Sequence, residues 1–287
     1  MSRGVGLSLV QFRVKNGDIE DNLSRIRGHV AYIAKTFDWI DLIAFPEYAV
    51  TGPAGGRRLP EVAVTATESD PILGGFCELA AKYGKWIFPG ALYERSGEDY
   101  FTAAFFISPE GKIVTHSRKM FPWYPYERIV PAAENYGVCE IPGKGKIGVV
   151  VCYDIWFPEV ARKLAELGAE AILHPAATTT PDRKQEFILG QAAAVANQCY
   201  FIDINCTGEN GIGRSYVVDP EGNLPLEAGE TEIVMNHFID LERVAQVRTD
   251  GTAGTNRVLR HLLRTHLAPA DPGAFGGLEP VDVPAQR

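Results

Sequence analysis

The sequence predicts an α/β protein in which two sheets pack face to face between outer layers of helix, an αββα sandwich. Three observations predict it. Short apolar runs rich in Val and Ile, which read as buried strands, alternate with segments of helical spacing. The alternation occurs twice, once in each half of the chain. Each half then closes on nearly the same turn, Ser108-Pro109-Glu110-Gly111 in the first and Asp219-Pro220-Glu221-Gly222 in the second, with Pro and Gly in turn positions. Pro-Glu-Gly is by itself simply a good turn. Its return after a second round of strands and helices reads as a pseudo-repeat within one domain. That domain is expected over residues 1–266, and the Pro/Gly-rich stretch 267–287 reads as an irregular tail, mobile or docked on a neighbour.

In order, Val5 to Phe12 is a strand, and Asp18 to Thr36 a helix with apolar residues at Ile19, Leu23, Ile26, Val30 and Ile33. Trp39 to Phe45 is a buried strand stopped by Pro46, and a Gly/Pro loop, Gly52 to Gly56, follows. Pro71 to Tyr83 is a helix, Trp86 to Leu92 a strand, and Tyr100 to Ile107 and Lys112 to Thr115 are strands around the first Pro-Glu-Gly turn. After a loop from Arg118 to Asn135, the strands Val138 to Ile141 and Ile147 to Val151 open the second half. A helix from Phe157 to Leu167, a strand from Ala171 to His174, a helix from Arg183 to Asn197 and strands Tyr200 to Asn205 and Ser215 to Val218 continue it. Glu232 to Ile239 closes the sheet, and a helix starts at Leu241.

Composition removes several classes of function. The net charge of -8, with no Lys/Arg cluster, argues against nucleic acid or an anionic membrane surface as the main partner. No apolar run approaches the ~18 residues of a membrane helix, and Met1-Ser2-Arg3-Gly4 runs straight into a strand with no signal-peptide pattern. The five cysteines are odd in number, scattered and never in a CxxC pair, which fits reduced thiols in a cytoplasm. The six histidines lack metal-ligand spacing. Gly213-Arg214-Ser215-Tyr216-Val217 is not a serine-hydrolase elbow, and Gly143-Lys144-Gly145-Lys146 is not a phosphate loop.

Chemistry gathers instead around Cys152. It follows the apolar run Ile147 to Val151 and precedes Pro158, a residue well tolerated in a first helical turn. That is the carboxyl edge of a central strand, where open α/β sheets bind ligands. Taken alone, Cys152 is as well explained as a small buried hydrophobe. Three other polar residues stand at similar places: Glu47 in Phe45-Pro46-Glu47-Tyr48, Lys119 in Ser117-Arg118-Lys119, and Glu127 at the end of Phe121-Pro122-Trp123-Tyr124-Pro125-Tyr126-Glu127. Each alone reads as a solvated loop charge. Together they form a workable set: a carboxylate takes the thiol proton, a fixed ammonium steadies the oxyanion, and the Tyr153 N–H, just past the nucleophile, adds a second donor. The remaining carboxylate orients the Lys, the leaving amine or the water.

With those residues the chain resembles the nitrilase, or carbon–nitrogen hydrolase, superfamily, from Val5 to about Asp240. Phe45-Pro46-Glu47, Arg118-Lys119 and Val150-Val151-Cys152-Tyr153-Asp154 through Pro158-Glu159 stand in the family's order. The resemblance implies a Glu47–Lys119–Cys152 triad, no cofactor and a homo-oligomer. Lys119 to Glu127 is similar to the aliphatic amidase and formamidase segment, with Lys, two residues, Pro-Trp, one residue, Pro, one residue, Glu. This implies that Glu127 is a fourth catalytic residue and that Trp123 lines the pocket, while Tyr48 matches a pocket tyrosine of that branch. Tyr124, Tyr153, Trp156, His174 and Ala177 complete the expected substrate contacts, although His174, at the end of a buried strand, equally suits a satisfied core histidine. One departure stands out: those amidases carry an acidic residue directly after the Cys, and this chain has Tyr153, with Asp154 one place later. The expected activity is thiol-dependent hydrolysis of a small carboxamide through a Cys152 thioester. Nitrilase, N-carbamoyl amidohydrolase and acyltransferase activity stay open as alternatives, as does an inactive binding module.

Overall fold

A computed structural model of the chain describes residues 3–55, 58–127, 129–132, 135–271 and 273–281. Met1 and Ser2, Gly56 of the Gly/Pro loop with Arg57, Arg128, Ala133 and Glu134 of the 118–135 loop, and Pro272 and residues 282–287 of the tail lie outside the described residues.

The first half runs β1 (Gly4–Gln11), α1 (Ile19–Thr36), β2 (Leu42–Ala44), α2 (Leu59–Val62), α3 (Pro71–Tyr83), β3 (Trp86–Phe88), β4 (Ala91–Ser96), β5 (Asp99–Ile107) and β6 (Ile113–Arg118). The second runs β7 (Val138–Ile141), β8 (Gly145–Val149), α4 (Pro158–Glu166), β9 (Ala171–Ala176), α5 (Arg183–Asn197), β10 (Tyr200–Asn205), β11 (Tyr216–Val218), β12 (Leu226–Glu227), β13 (Ile233–Asp240), α6 (Leu241–Asp250) and α7 (Val258–Leu262).

The helix starts are chemically explicit. Asp18 caps α1 by accepting from the Asp21 N–H, and Asp70 caps α3 by accepting from Ile72 and Leu73, with Pro71 at the first helical position. Gly84 ends α3 in the left-handed conformation. Pro158 opens α4 in the same way as Pro71 opens α3.

The strands form two sheets. One has the order β13-β1-β2-β3-β5-β4 with β6 paired to β5, and the other the order β12-β11-β10-β9-β8-β7. In each sheet three successive strands are parallel and joined through helices: β1, β2 and β3 across α1 and α3, and β8, β9 and β10 across α4 and α5. Both Pro-Glu-Gly turns are hairpin turns, closed by Ser108 N–H to Lys112 O and by Asp219 N–H to Asn223 O. The pseudo-repeat is therefore structural.

Alternation along each strand sends side chains to two cores. Leu7, Leu9, Leu42, Val149, Leu173 and Ile202 meet between the sheets. On the outer face of the first sheet, Phe12, Ile43 and Phe105 pack on Ile26 and Val30 of α1 and Phe76 of α3. On the outer face of the second, Ile172 and Phe201 pack on Leu164 of α4 and Ala194 of α5. These are the four layers of an αββα sandwich.

Four expectations need correction. The strand expected over Trp86 to Leu92 is two strands, β3 and β4, broken at Pro89-Gly90. Gly90 has φ 84°, and a Cβ there would lie 1.8 Å from the Pro46 carbonyl oxygen. Only glycine lets this backbone pass so close beneath the Pro46–Glu47 loop. The two shortest elements, α2 and β12, were not anticipated, because four and two residues carry no periodicity to read. β13 returns to the first sheet, paired antiparallel with β1 from Gly4↔Asp240 to Gln11↔Ile233. The described part of the tail docks on its own chain, burying Ala274 and Phe275 against Ala165 of α4 and Leu259 of α7.

Candidate active site

Glu47 lies in the loop after β2, Lys119 directly after β6 and Cys152 three residues after β8. Strand alternation separates Arg118 from Lys119. Arg118 turns outward, where it pairs with Glu94 at 2.8 Å and stacks over the Phe101 ring. Lys119 turns inward and is wholly buried. Its backbone N–H is tied to Thr102 O at 2.7 Å. Its ammonium stands between two carboxylates, 3.1 Å from Glu47 Oε1 and 2.8 Å from Glu127 Oε1. Glu47 and the Cys152 thiol lie close enough to shift each other's proton affinity. The structure thus brings together all four residues expected to be catalytic.

The two carboxylates differ in surroundings. Burial holds the Glu47 carboxyl above the usual carboxylate range, against the pull of Lys119. Burial also works against charge on Glu127. Lys119, the Trp123 N–H at 2.6 Å and the Tyr48 hydroxyl at 2.7 Å outweigh it and hold that carboxyl low. One carboxylate is therefore basic and the other stays ionised, an environmental split of the kind that separates acid–base roles. The Cys152 thiol is pushed well up by burial and by Glu47, so it rests protonated. Burial disfavours the Lys119 charge, and its carboxylate neighbours override this, keeping the ammonium charged.

Local backbone aims these groups. Cys152 has φ 45° and starts a 3-10 turn, Cys152 to Trp156. Tyr48, next to Glu47, has φ 54°. Non-glycine residues in the left-handed region carry a conformational cost and cluster at functional sites. Asp154 accepts from the Phe121 N–H at 2.8 Å and the Met120 N–H at 3.3 Å, tying the turn that begins at Cys152 to the loop after Lys119. The buried Cys206 thiol donates to the Glu47 carbonyl at 3.3 Å.

A cavity of about 40 Å³ opens at Cys152, lined by Trp123, Tyr153, Trp156, Ala177, Thr178 to Thr180, Asp182 and Glu186. Trp123, Tyr153, Trp156 and Ala177 stand where substrate contacts were expected. Three others do not line it. Tyr48 is buried, its hydroxyl shared between Thr102 and Glu127, and so braces Glu127. Tyr124 is 60% exposed and faces solvent. His174 is fully buried with both ring nitrogens engaged, by Asp203 and by the Cys152 carbonyl, leaving nothing for a substrate. It is the satisfied core histidine.

Sequence reasoning missed Thr178 to Thr180, Asp182 and Glu186. The available signal was position: they follow β9 at the same carboxyl edge of the sheet as Cys152. Glu186 gave no such signal, because it sits inside a helix. Among the described residues, no three His, Cys, Asp or Glu side chains gather as a metal-binding group, and no helix is long and apolar enough to cross a membrane.

The family model for carbon–nitrogen hydrolases matches residues 6–249. A formamidase from Helicobacter acinonychis (strain Sheeba) is 28% identical over 219 residues, covering 73% of this chain and 64% of its own. The chain therefore spans just under two thirds of that relative. The 2-oxoglutaramate amidase of Bacillus subtilis (strain 168) is 28% identical over 249 residues, 84% of this chain and 93% of its own. Among solved structures, Saccharomyces cerevisiae Nit3, a member of branch 10 of the nitrilase superfamily, superposes with a TM-score of 0.78 at 25% identity, over 85% of this chain and 93% of Nit3. An amidase from Nesterenkonia sp. superposes at 0.75 with 22% identity over 85% and 93%, a likeness of fold. With a family match running from β1 into α6 over a sandwich of the nitrilase type, the chain belongs to the carbon–nitrogen hydrolase family.

Proposed function

We propose that the protein is an amidohydrolase that cleaves a small carboxamide through a thioester on Cys152. One observation carries the reading: a buried ammonium held between two carboxylates of unequal basicity, one of them beside a cysteine in the left-handed conformation. Glu47 takes the thiol proton as Cys152 Sγ bonds to the carbonyl carbon, and the carbonyl π pair moves to oxygen. Lys119 and the Tyr153 N–H steady that oxyanion. As it collapses, the C–N bond breaks and Glu47 returns the proton to the leaving amine. Water then gives its proton to Glu47 and attacks the thioester, with Glu127 holding Lys119 in place, and the acid leaves as Cys152 recovers its proton. The covalent route divides one difficult step into two easier ones.

Support comes from the relatives, a formamidase and a 2-oxoglutaramate amidase. A variant of the Nesterenkonia amidase carries the acetamide moiety of fluoroacetamide on its active-site cysteine, which favours the same nucleophile here. The small cavity at Cys152 favours a short acyl group. A panel of amides, nitriles, N-carbamoyl compounds and formamide, with ammonia and acid both followed, tests the reading. Equal release of ammonia and acid from short amides is expected, and turnover of nitriles alone would overturn it. Product that depends on added hydroxylamine would identify acyl transfer. Self-association also belongs to the proposal: α5 shows Ile188 and Val195 to solvent beside its groove with α4. Light scattering should give a dimer or larger, and a monomer of 31.4 kDa would remove this part.

A further inference from the structure

His174 bonds to two groups that can only accept. Its Nδ1 lies 2.7 Å from Asp203 Oδ2 and its Nε2 lies 2.9 Å from the Cys152 carbonyl oxygen. A carbonyl has no proton to give. Asp203 also receives both Nη groups of Arg183, one of them at 2.9 Å, so it is ionised. Both ring nitrogens must then carry protons. The charges balance: Arg183 pairs with Glu186 at 2.9 Å, so two cations and two anions share a fully buried cluster, the condition under which buried charge is tolerated. Among the described residues, no other charged group is bonded to the ring. Phe201 packs against it, and the Tyr216 hydroxyl bonds the Glu186 carbonyl beyond.

The carbonyl that His174 grips belongs to the peptide whose other end is the Tyr153 N–H. We propose that His174 is a positioning residue for the oxyanion site: a buried imidazolium that fixes and polarises the Cys152–Tyr153 peptide, so that its N–H meets the developing negative charge. The proposal rests on the thioester reading above. A charged donor on the carbonyl holds Cys152 in its left-handed conformation and strengthens the N–H of the same peptide through bond polarisation. Burial opposes a charged ring, and Asp203 with the Cys152 carbonyl outweighs it, leaving the His174 pKa raised.

Two experiments decide it. In wild-type protein with 15N-labelled histidine, His174 should show both ring nitrogens protonated from about pH 6 to about pH 8, a range that spans the ordinary histidine pKa of ~6.5. One bare nitrogen throughout that range would overturn the proposal. In His174→Gln, which keeps one donor but no charge, kcat for a short amide should fall about 10- to 100-fold, less than the ~10²–10³ of a lost oxyanion donor. KM should change by less than about threefold. Alkylation of Cys152 by iodoacetamide forms no oxyanion and should slow by no more than about threefold. Parallel loss of amide turnover and alkylation would mean a merely structural role and would overturn the inference. If wild-type protein hydrolysed no amide at all, the thioester reading would fail instead, and the nitrogen signals would still decide the state of His174.

Discussion

Two non-glycine residues with positive φ follow parallel strands, one in each sheet, Tyr48 after β2 and Cys152 after β8, and they are held by different means. On the first side the work is done by side chains. The Tyr48 hydroxyl bonds Thr102 and Glu127, and Glu47 and Glu127 both meet the Lys119 ammonium. On the second side the backbone is gripped from behind, by His174 on the Cys152 carbonyl and by Asp154 on the loop after Lys119. Each sheet supplies one parallel-strand end. In the proposed mechanism one holds the charges that move protons, and the other holds the nucleophile and the peptide N–H that donates to the oxyanion. Removing Glu47 or Lys119 on the first side should therefore remove steps, and substitutions behind the second should only slow them.

The sharpest break is at the nucleophile. Cys152→Ala should abolish amide turnover while leaving the thermal midpoint within a few degrees of wild type, because a thiol at an open cavity contributes little packing. Retention of more than a small fraction of turnover would contradict the covalent route. Next is Lys119→Met, which strands two buried carboxylates without their cation. Removing one partner of a buried ion pair costs about 3–5 kcal/mol, so urea unfolding should show a loss of that order together with loss of activity. An unchanged midpoint would mean that the first side is not organised by charge.

Asp154 gives a test by pH. Burial pushes its carboxyl up to about 7, above an unfolded value of roughly 3.9. Between those values the folded chain keeps a proton that the unfolded chain releases. Its contribution is thus full at low pH and falls as pH rises through the window. Asp154→Asn removes that slope. Relative to wild type the variant should gain up to about 4 kcal/mol of unfolding free energy between about pH 4 and about pH 8. A constant difference between the two proteins would show that the bonds from Met120 and Phe121 keep Asp154 ionised. The smallest effect is expected for Tyr48→Phe. Losing the hydroxyl that braces Glu127 should cost about 1 kcal/mol of stability, with activity lowered and not lost.

What the sequence made legible follows from the range of the interactions. Strand and helix patterns, the repeated turn and the order Glu47, Lys119, Cys152 are local, and they led to the layers and to the charged cluster. The Asp203–His174 contact links adjacent strands 29 residues apart in sequence, and no local pattern announces it. The same holds for Glu186, which looks like an ordinary helical glutamate and yet is buried beside the cavity. Tyr124 and Tyr48 show the opposite limit. Both sit in motif positions, but one turns to solvent and the other to Glu127, because residue order says nothing of side-chain direction in a loop. Pro89-Gly90 was read through as strand since apolar residues flank it. The close approach of Pro46 that demands Gly90 is a tertiary fact.

The account turns on Glu47 as the base and Cys152 as the carrier of the acyl group, and one measurement addresses both. A short amide is mixed with Glu47→Gln and with Glu127→Gln, the reactions are quenched in acid, and intact-protein mass spectrometry follows the mass of an acyl group on Cys152. Glu127→Gln keeps the size of the side chain and one acceptor, so Cys152 still attacks and the adduct should build up as its hydrolysis slows. Glu47→Gln cannot take the thiol proton, and no acyl adduct should form. An adduct that accumulates on Glu47→Gln and not on Glu127→Gln would reverse the two carboxylates, and acyl mass on any residue other than Cys152 would contradict the account at its centre.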